Sequence, residues 1–377
     1  MWFMCLLILF LISGLDTSES SDSSEIIFLE NENDKMFIRS ADCVCVPYFK
    51  CKEVVEDGVG VINIRTANPC NTLEVCCGAG NTTTESIIPK TRWTGQRPCG
   101  IRNKEGFGLR ITGIEDNETQ FGEFPWMVAL FRTSTNKRTM EKTETYHCGA
   151  SLIHPQVVLT AAHCVSDKAY KYRIRAGEWD THTTNELFPH QEREVKETII
   201  HPQYYKGGFF YDFALLILDS PLEISENVDV VCLPDKTMIP QQVFCSATGW
   251  GQEVFSEEGK NPAILKKIDL PIVDRDNCQK RLRNTRLGAQ FKLHETFICA
   301  GGELGKGACK GDGGSPLVCP VDDETDRFYQ AGIVAWGIDC GKEDVPGAYA
   351  DVAKAMDWID DVMTRHTFDR SIYRYGK

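Results

Sequence analysis

From Ile111 onward the chain alternates short apolar runs with turns, as in Trp126–Phe131, Ser151–Leu159, Phe213–Leu218 and Gly332–Trp336. Many short strands without long helical periods predict an all-β antiparallel sandwich or barrel. One helical period stands out near the end, where Val352, Met356, Ile359 and Met363 share a face. Ahead of Ile111 the pattern differs. The run Phe3–Ile12 is apolar but too short to span a bilayer comfortably, and small Ser13 and Gly14 follow it. Residues 1–15 therefore outline a secretory signal, although the usual early Lys or Arg is missing. Residues 16–42 are acidic and serine-rich, which predicts a disordered arm. No later segment is apolar for long enough to cross a membrane.

Composition changes this picture in two places. The 377 residues have 42% hydrophobic and 25% charged content, enough for one full-sized domain and a small one. A formal charge of −13 leaves no basic face for phosphates, so a nucleic-acid partner is excluded from the reading. Cysteine is more informative. Of 17 cysteines, Cys5 lies in the signal and would leave with it, so the mature chain keeps an even number. Even parity fits full pairing in an oxidising compartment. Zinc fits less well, because no His or Cys pair has finger spacing beside a second such pair.

Six cysteines crowd into residues 43–77: Cys43, Cys45, Cys51, Cys70, Cys76 and Cys77. So short a segment cannot build a large apolar core, and cross-links worth ~2–4 kcal/mol each must replace burial. Spacing alone does not choose among their fifteen possible pairings. Residues 78–110 read as a linker followed by a tethered segment, with Gly78 to Pro98 rich in Thr, Gly and Pro. Sequons at Asn81 and Asn117 are candidate glycosylation sites.

Three motifs carry the chemistry: Leu159-Thr-Ala-Ala-His163-Cys164, Asp212-Phe-Ala-Leu-Leu216, and Cys309-Lys-Gly-Asp312-Gly313-Gly314-Ser315-Pro316. In this order they resemble the chymotrypsin/trypsin family of serine proteases, a likeness extended by Phe124-Pro-Trp126, Ala247-Thr-Gly-Trp-Gly251 and Ala335-Trp-Gly337. It covers about Ile111 to Met363 and implies a double six-stranded antiparallel β-barrel over 111–363, with 364–377 as a C-terminal tail. The family's chemistry needs a serine beside a histidine base that an aspartate orients. His163 matches the base and Asp212 the acid, but Gly313 occupies the place of the nucleophile.

Ser315 lies two residues on, where extended chain moves a side chain by roughly 6–7 Å. That exceeds the hydrogen-bond reach a nucleophile needs. A residual hydrolase using Ser315 is thus the weaker alternative to a protein without catalysis. Other departures agree. Ala335 replaces the family's serine that supports the triad aspartate, and Gly307 replaces the aspartate at the base of the trypsin pocket. Gly311 would keep its oxyanion N–H as a remnant. His163 and Asp212 then read as a hydrogen-bonded pair that supports the junction of the two barrels.

The resemblance implies the pairs Cys148–Cys164, Cys245–Cys319, Cys278–Cys299 and Cys309–Cys340, leaving Cys99 with Cys232. Family zymogens are cut before an Ile-Val-Gly-Gly, and the matching bond is Arg110–Ile111, with Ile114 in place of a glycine. The new amine of Ile111 would pair with Asp312; an uncut linker is the alternative. The stretch from Glu178 to Glu192 matches the calcium loop of trypsin but is longer, so a solvated acidic loop competes with calcium binding. No other cofactor is implied.

The six-cysteine unit, ending in Glu-Val-Cys76-Cys77, resembles a clip domain, which implies Cys43–Cys76, Cys45–Cys70 and Cys51–Cys77. A clip ahead of a glycine-substituted domain resembles the arthropod clip-domain serine protease homologues, a group that includes prophenoloxidase-activating factors. The resemblance implies a secreted, non-catalytic cofactor in a haemolymph immune cascade. Its partners would be phenoloxidase or other cascade proteins and an activating clip-domain protease. A secreted adhesion or matrix protein on the same inactive fold is the rival.

Overall fold

The computed structural model describes residues 43–375 apart from 57–58, 64–69, 71–72, 79, 87–96, 107–108, 113–116, 136–141, 185, 236–237, 239, 241–242, 253–261 and 322–325. The signal, the acidic arm, Ile114 and much of the linker fall outside the described residues.

The small unit begins with β1 (Cys43–Pro47). Short β2 (Val55–Glu56) and β3 (Val59–Asn63) form a hairpin, and β4 (Glu74–Gly78) returns to pair with β1. Its three disulfides are Cys43–Cys76, Cys45–Cys70 and Cys51–Cys77, as the resemblance implies. Among the described residues, cystines aside, the buried apolar side chains they pin together are Tyr48, Leu73 and Ile62. Asn81 belongs to this unit, because its backbone N–H bonds Gly78 O and its side-chain amide donates to Glu53.

Past β5 (Leu109–Thr112) come β6 (Met127–Thr135), β7 (Lys142–His154), β8 (Val157–Thr160), β9 (Lys171–Ala176), β10 (Gln191–Ile200) and β11 (Ala214–Leu218). The six from β6 to β11 close a barrel. A second barrel closes from β12 (Phe244–Gly249), β13 (Lys266–Val273), β14 (Phe297–Ala300), β15 (Pro316–Pro320), β16 (Phe328–Trp336) and β17 (Gly347–Asp351). Closure removes the free sheet edges that two open sheets would expose. The five residues of β11 are all buried, as are eight of the nine in β16, so neither shows the alternation of a one-sided sheet.

Two local expectations change. The run Ser151–Leu159 is not one strand but the end of β7 and the start of β8, with the chain reversing at Pro155-Gln156. Pro155, between His154 and Gln156, has no N–H for a ladder, so the strand stops there. The terminal helix is a 3₁₀ turn, Val352–Ala355, capped by Asp351, followed by the α-helix Met356–Arg365. The tail beyond it packs down: Tyr373 is fully buried, its hydroxyl donates to Asp360 (2.7 Å), and its carbonyl accepts from Leu233 N–H.

Both barrels meet where Gly149 N–H of β7 donates to Gly313 O in the loop before β15 (2.9 Å). Chemistry that uses side chains from both barrels has to assemble at this seam.

Candidate functional site

One turn of helix, α1 (Ala162–Val165), follows β8 and sets His163 at the seam. Asp212 precedes β11 and is fully buried. It accepts the backbone N–H of His163 on Oδ1 (2.8 Å) and contacts His163 Nδ1 through Oδ2 (2.7 Å). One contact holds the backbone and the other the ring through Nδ1, which leaves Nε2 turned toward Gly313 of the opposite barrel. What faces it there is Gly313: a Cβ on that residue would lie 2.8 Å from Nε2. The sequence motif and the geometry agree that position 313 is where a nucleophile would stand. Glycine supplies none.

Ser315 does not substitute. It is fully buried, with its N–H on Asp312 O and its carbonyl on Val334 N–H. Its Oγ lies against Gly149, whose missing side chain makes the room, and has no hydrogen-bond partner. Ala335 brings no hydroxyl to Asp212. Tyr204 is nearby, and burial, followed by the charge of Asp212, pushes its phenol up to about 12. Phe209 packs edge-on against His163 at 5.5 Å from a backbone φ of 55°. That left-handed conformation is costly for an aromatic residue and is held by the surrounding hairpin.

Beside His163 opens a cavity of about 260 Å³ lined by Gly307, Val334, Ala335, Gly347 and Tyr349 among others. Gly307 in this lining carries no charge to meet a Lys or Arg, and the carboxylate that does line the cavity, Asp339, is paired with Lys342 (3.4 Å). Gly311 turns the oxyanion loop with φ +100°, and its carbonyl accepts from the Tyr146 hydroxyl (2.9 Å). Asp312 is part-buried, and desolvation raises its carboxyl to about 6 against the opposing pull of the Cys309 and Gly251 amides. In this uncut chain the nitrogen of Ile111 is elsewhere, donating to Gln120 Oε1 (2.8 Å).

The five remaining disulfides all form as the resemblance implies: Cys99–Cys232, Cys148–Cys164, Cys245–Cys319, Cys278–Cys299 and Cys309–Cys340. The comparisons place these features. A family model described as Trypsin matches residues 114–359, and one described as Serine protease Clip domain PPAF-2 matches 37–78. The chain is a clip-domain serine protease homologue. This homologue is 50% identical over 291 residues to phenoloxidase-activating factor 2 of Galleria mellonella, covering 76% of its own length and 96% of the relative's. It is 38% identical over 291 residues to inactive CLIP domain-containing serine protease A8 of Anopheles gambiae, covering 76% and 77%. A third relative, inactive CLIP domain-containing serine protease A28 of the same mosquito, is 35% identical over 323 residues, covering 82% and 81%.

One candidate site of the homologue needs correcting. Glu178 and Glu192 do not face a common gap, because Arg175 stands between them, donating Nη1 to Glu178 (2.8 Å) and Nη2 to Glu192 (2.7 Å). A guanidinium already supplies the charge that a cation would bring to that pair. The donor set lies one step away. Oxygens of Glu178 and Glu186 and a nitrogen of His190 fall within 4.8 Å of one another. Oε2 of Glu186 is buried without a hydrogen-bond partner, and burial, then the charge of Glu178, raises its carboxyl to about 8. A buried carboxylate oxygen without a hydrogen-bond partner, on a residue of this cluster, fits a divalent cation, with Glu178 shared between that site and Arg175. Sequence reasoning named the loop but not Glu186, since the choice among its acids depends on the register of β9 against β10.

Proposed function

We propose that this chain is a secreted, non-catalytic docking cofactor of an extracellular immune protease cascade that activates phenoloxidase. The observation that carries the reading is Gly313 facing His163 Nε2, with no hydroxyl to attack a peptide bond. Removing a serine nucleophile costs about a million-fold in the protease where it was measured. Names of the relatives support the setting, one being a phenoloxidase-activating factor and two being called inactive. The retained His163–Asp212 pair serves in this reading as a structural brace across α1 and β11.

Cleavage at Arg110–Ile111 would free an ammonium for Asp312, a part-buried carboxylate whose two hydrogen-bond donors are backbone amides and which would gain from a cation. The Cys99–Cys232 bond would keep both pieces together. Calcium, held by Glu178 and Glu186 with His190 beside them, would neutralise that buried acidic pair.

The test compares intact chain, chain cut at Arg110 and an Arg110→Gln chain for binding to phenoloxidases and for promotion of their activity. The reading expects the cut chain to differ from the other two, by a coupling of about 1–3 kcal/mol typical of linked sites. Identical behaviour of all three would remove Arg110 as the switch. Activity unchanged after deletion of residues 43–77 would remove the clip from the mechanism.

A further inference from the structure

The bond that cleavage would break is held inside a sheet. β5, which carries Arg110–Ile111, runs parallel to β3 of the clip in the register Val61↔Arg110 and Ile62↔Ile111. The two isoleucines are buried, and Thr112 Oγ1 donates to Ile62 O (3.1 Å). On the other edge of β5 a single side chain does the work of a strand. Gln120 accepts the Ile111 N–H on Oε1 (2.8 Å) and donates from Nε2 to the Ile111 carbonyl (2.9 Å). That N–H belongs to the scissile amide itself.

Gln120 is in turn fixed from behind. Its backbone N–H donates to Glu123 Oε2 (2.8 Å), and Glu123 Oε1 receives Arg102 Nε (3.0 Å) and Lys267 Nζ (2.7 Å). Glu123 is buried, so its two cationic partners and the amide form a closed set around one carboxylate.

Proteolysis concentrates at exposed loop tips, and recognition of an extended peptide proceeds through main-chain hydrogen bonds along its edges. Here both edges are taken, one by the clip and one by Gln120. We propose that β3 and Gln120 form a latch on the activation bond, so that a trypsin-like protease cuts Arg110–Ile111 only after the clip hairpin has let go of β5. A partner that draws the clip away would license the cut. The latch rests on the reading of Arg110–Ile111 as the cleavage site.

Trypsin is the probe, and mass spectrometry follows the new N-terminus at Ile111. Four samples are compared: the full chain, Gln120→Met, Ile62→Ala, and a synthetic peptide of residues 105–116. Gln120→Met keeps the length of the side chain and removes both hydrogen bonds, while Ile62→Ala weakens the clip side. Because opening limits the cut, the full chain should be cleaved at Arg110 about 100-fold more slowly than the peptide, and each variant about tenfold faster than the full chain. Hydrogen exchange at the Ile111 amide should be slow in the full chain and faster in Gln120→Met, a readout that stands even if Ile62→Ala folds poorly. Cleavage of the full chain at Arg110 as fast as the peptide, or variants no faster than the full chain, would overturn the latch and leave the cleavage site standing. A chain resistant at Arg110 in every form, or cut only elsewhere, would overturn the cleavage site and the latch with it.

Discussion

His163 stands in the space that a side chain at Gly313 would fill, since a Cβ there would come 2.8 Å from its Nε2. Real Cβ atoms do not approach so closely, so the ring would have to shift, against the contact that Asp212 Oδ2 makes with its Nδ1. The loss of the serine is therefore built into the position of the histidine as well.

It follows that Gly313→Ser restores little. The serine has to push the imidazole off its present seat, an overpacking strain of about 1–3 kcal/mol, and Ala335 and Gly307 still withhold the aspartate's support and the pocket charge. After cleavage at Arg110, hydrolysis of Arg-ended esters by this variant should stay far below that of trypsin, and thermal denaturation should show the strain. Rates near those of trypsin would refute this account of the pocket. Ser315→Ala should leave the original chain as inactive as before.

The part-buried carboxylate of Asp312 gives the uncut chain a pH signature. Its folded value of about 6 lies above the ordinary 3.8, so the stability tied to its neutral form is complete below 3.8 and is lost as pH rises through 6. A shift of that size corresponds to a loss on the order of 3 kcal/mol, at about 1.4 kcal/mol per unit. Cleavage would supply an ammonium and reverse the sign. Subtracting the pH–stability profile of Asp312→Asn from that of the parent should reveal a fall between pH 4 and 6 in the uncut chain and none in the cut chain.

Glu186 predicts a second, cation-dependent trend. Raised from 4.5 to about 8, it favours the folded chain at acid pH, and that advantage disappears as pH climbs through this window. In chelator the melting temperature should fall between pH 5 and 8 more steeply than in Glu186→Gln. Added calcium should flatten the fall in the parent and leave the variant unmoved. A melting temperature indifferent to calcium at pH 8 would count against the site.

Cys99–Cys232 makes a simple gel prediction. Chain cut at Arg110 should run as one band without reductant and as two with it. Two bands before reduction would mean that the bond does not form.

Much of this was legible in the residues. Short apolar runs sufficed for an all-β domain, and the motifs around His163, Asp212 and Gly313 located the cleft and its missing hydroxyl. Two kinds of feature stayed hidden. Contacts that depend on strand register, such as Arg175 between Glu178 and Glu192, need the β9–β10 pairing before either partner can be chosen. Contacts across long sequence gaps, such as Ile62 against Ile111, carry no periodic signal, because each isoleucine by itself reads as an ordinary strand residue. Phe209 was invisible for another reason: a positive φ at an aromatic residue is imposed by the hairpin around it, against its own preference.

All three clip disulfides close within the clip, and none of the eight reaches from it to the barrels. The covalent connection is the 21 residues 78–98, of which Gly78 and Asn81 are bonded within the clip and Arg97 pairs with Glu226 and Asp229. A clip released from β5 would thus stay tethered to the barrels, and its return would be intramolecular. Detachment is cheap to undo, and a competitor in solution must bind the clip well enough to outpace its return. With the latch, this tether would make the molecule a threshold device that ignores weak and fleeting encounters.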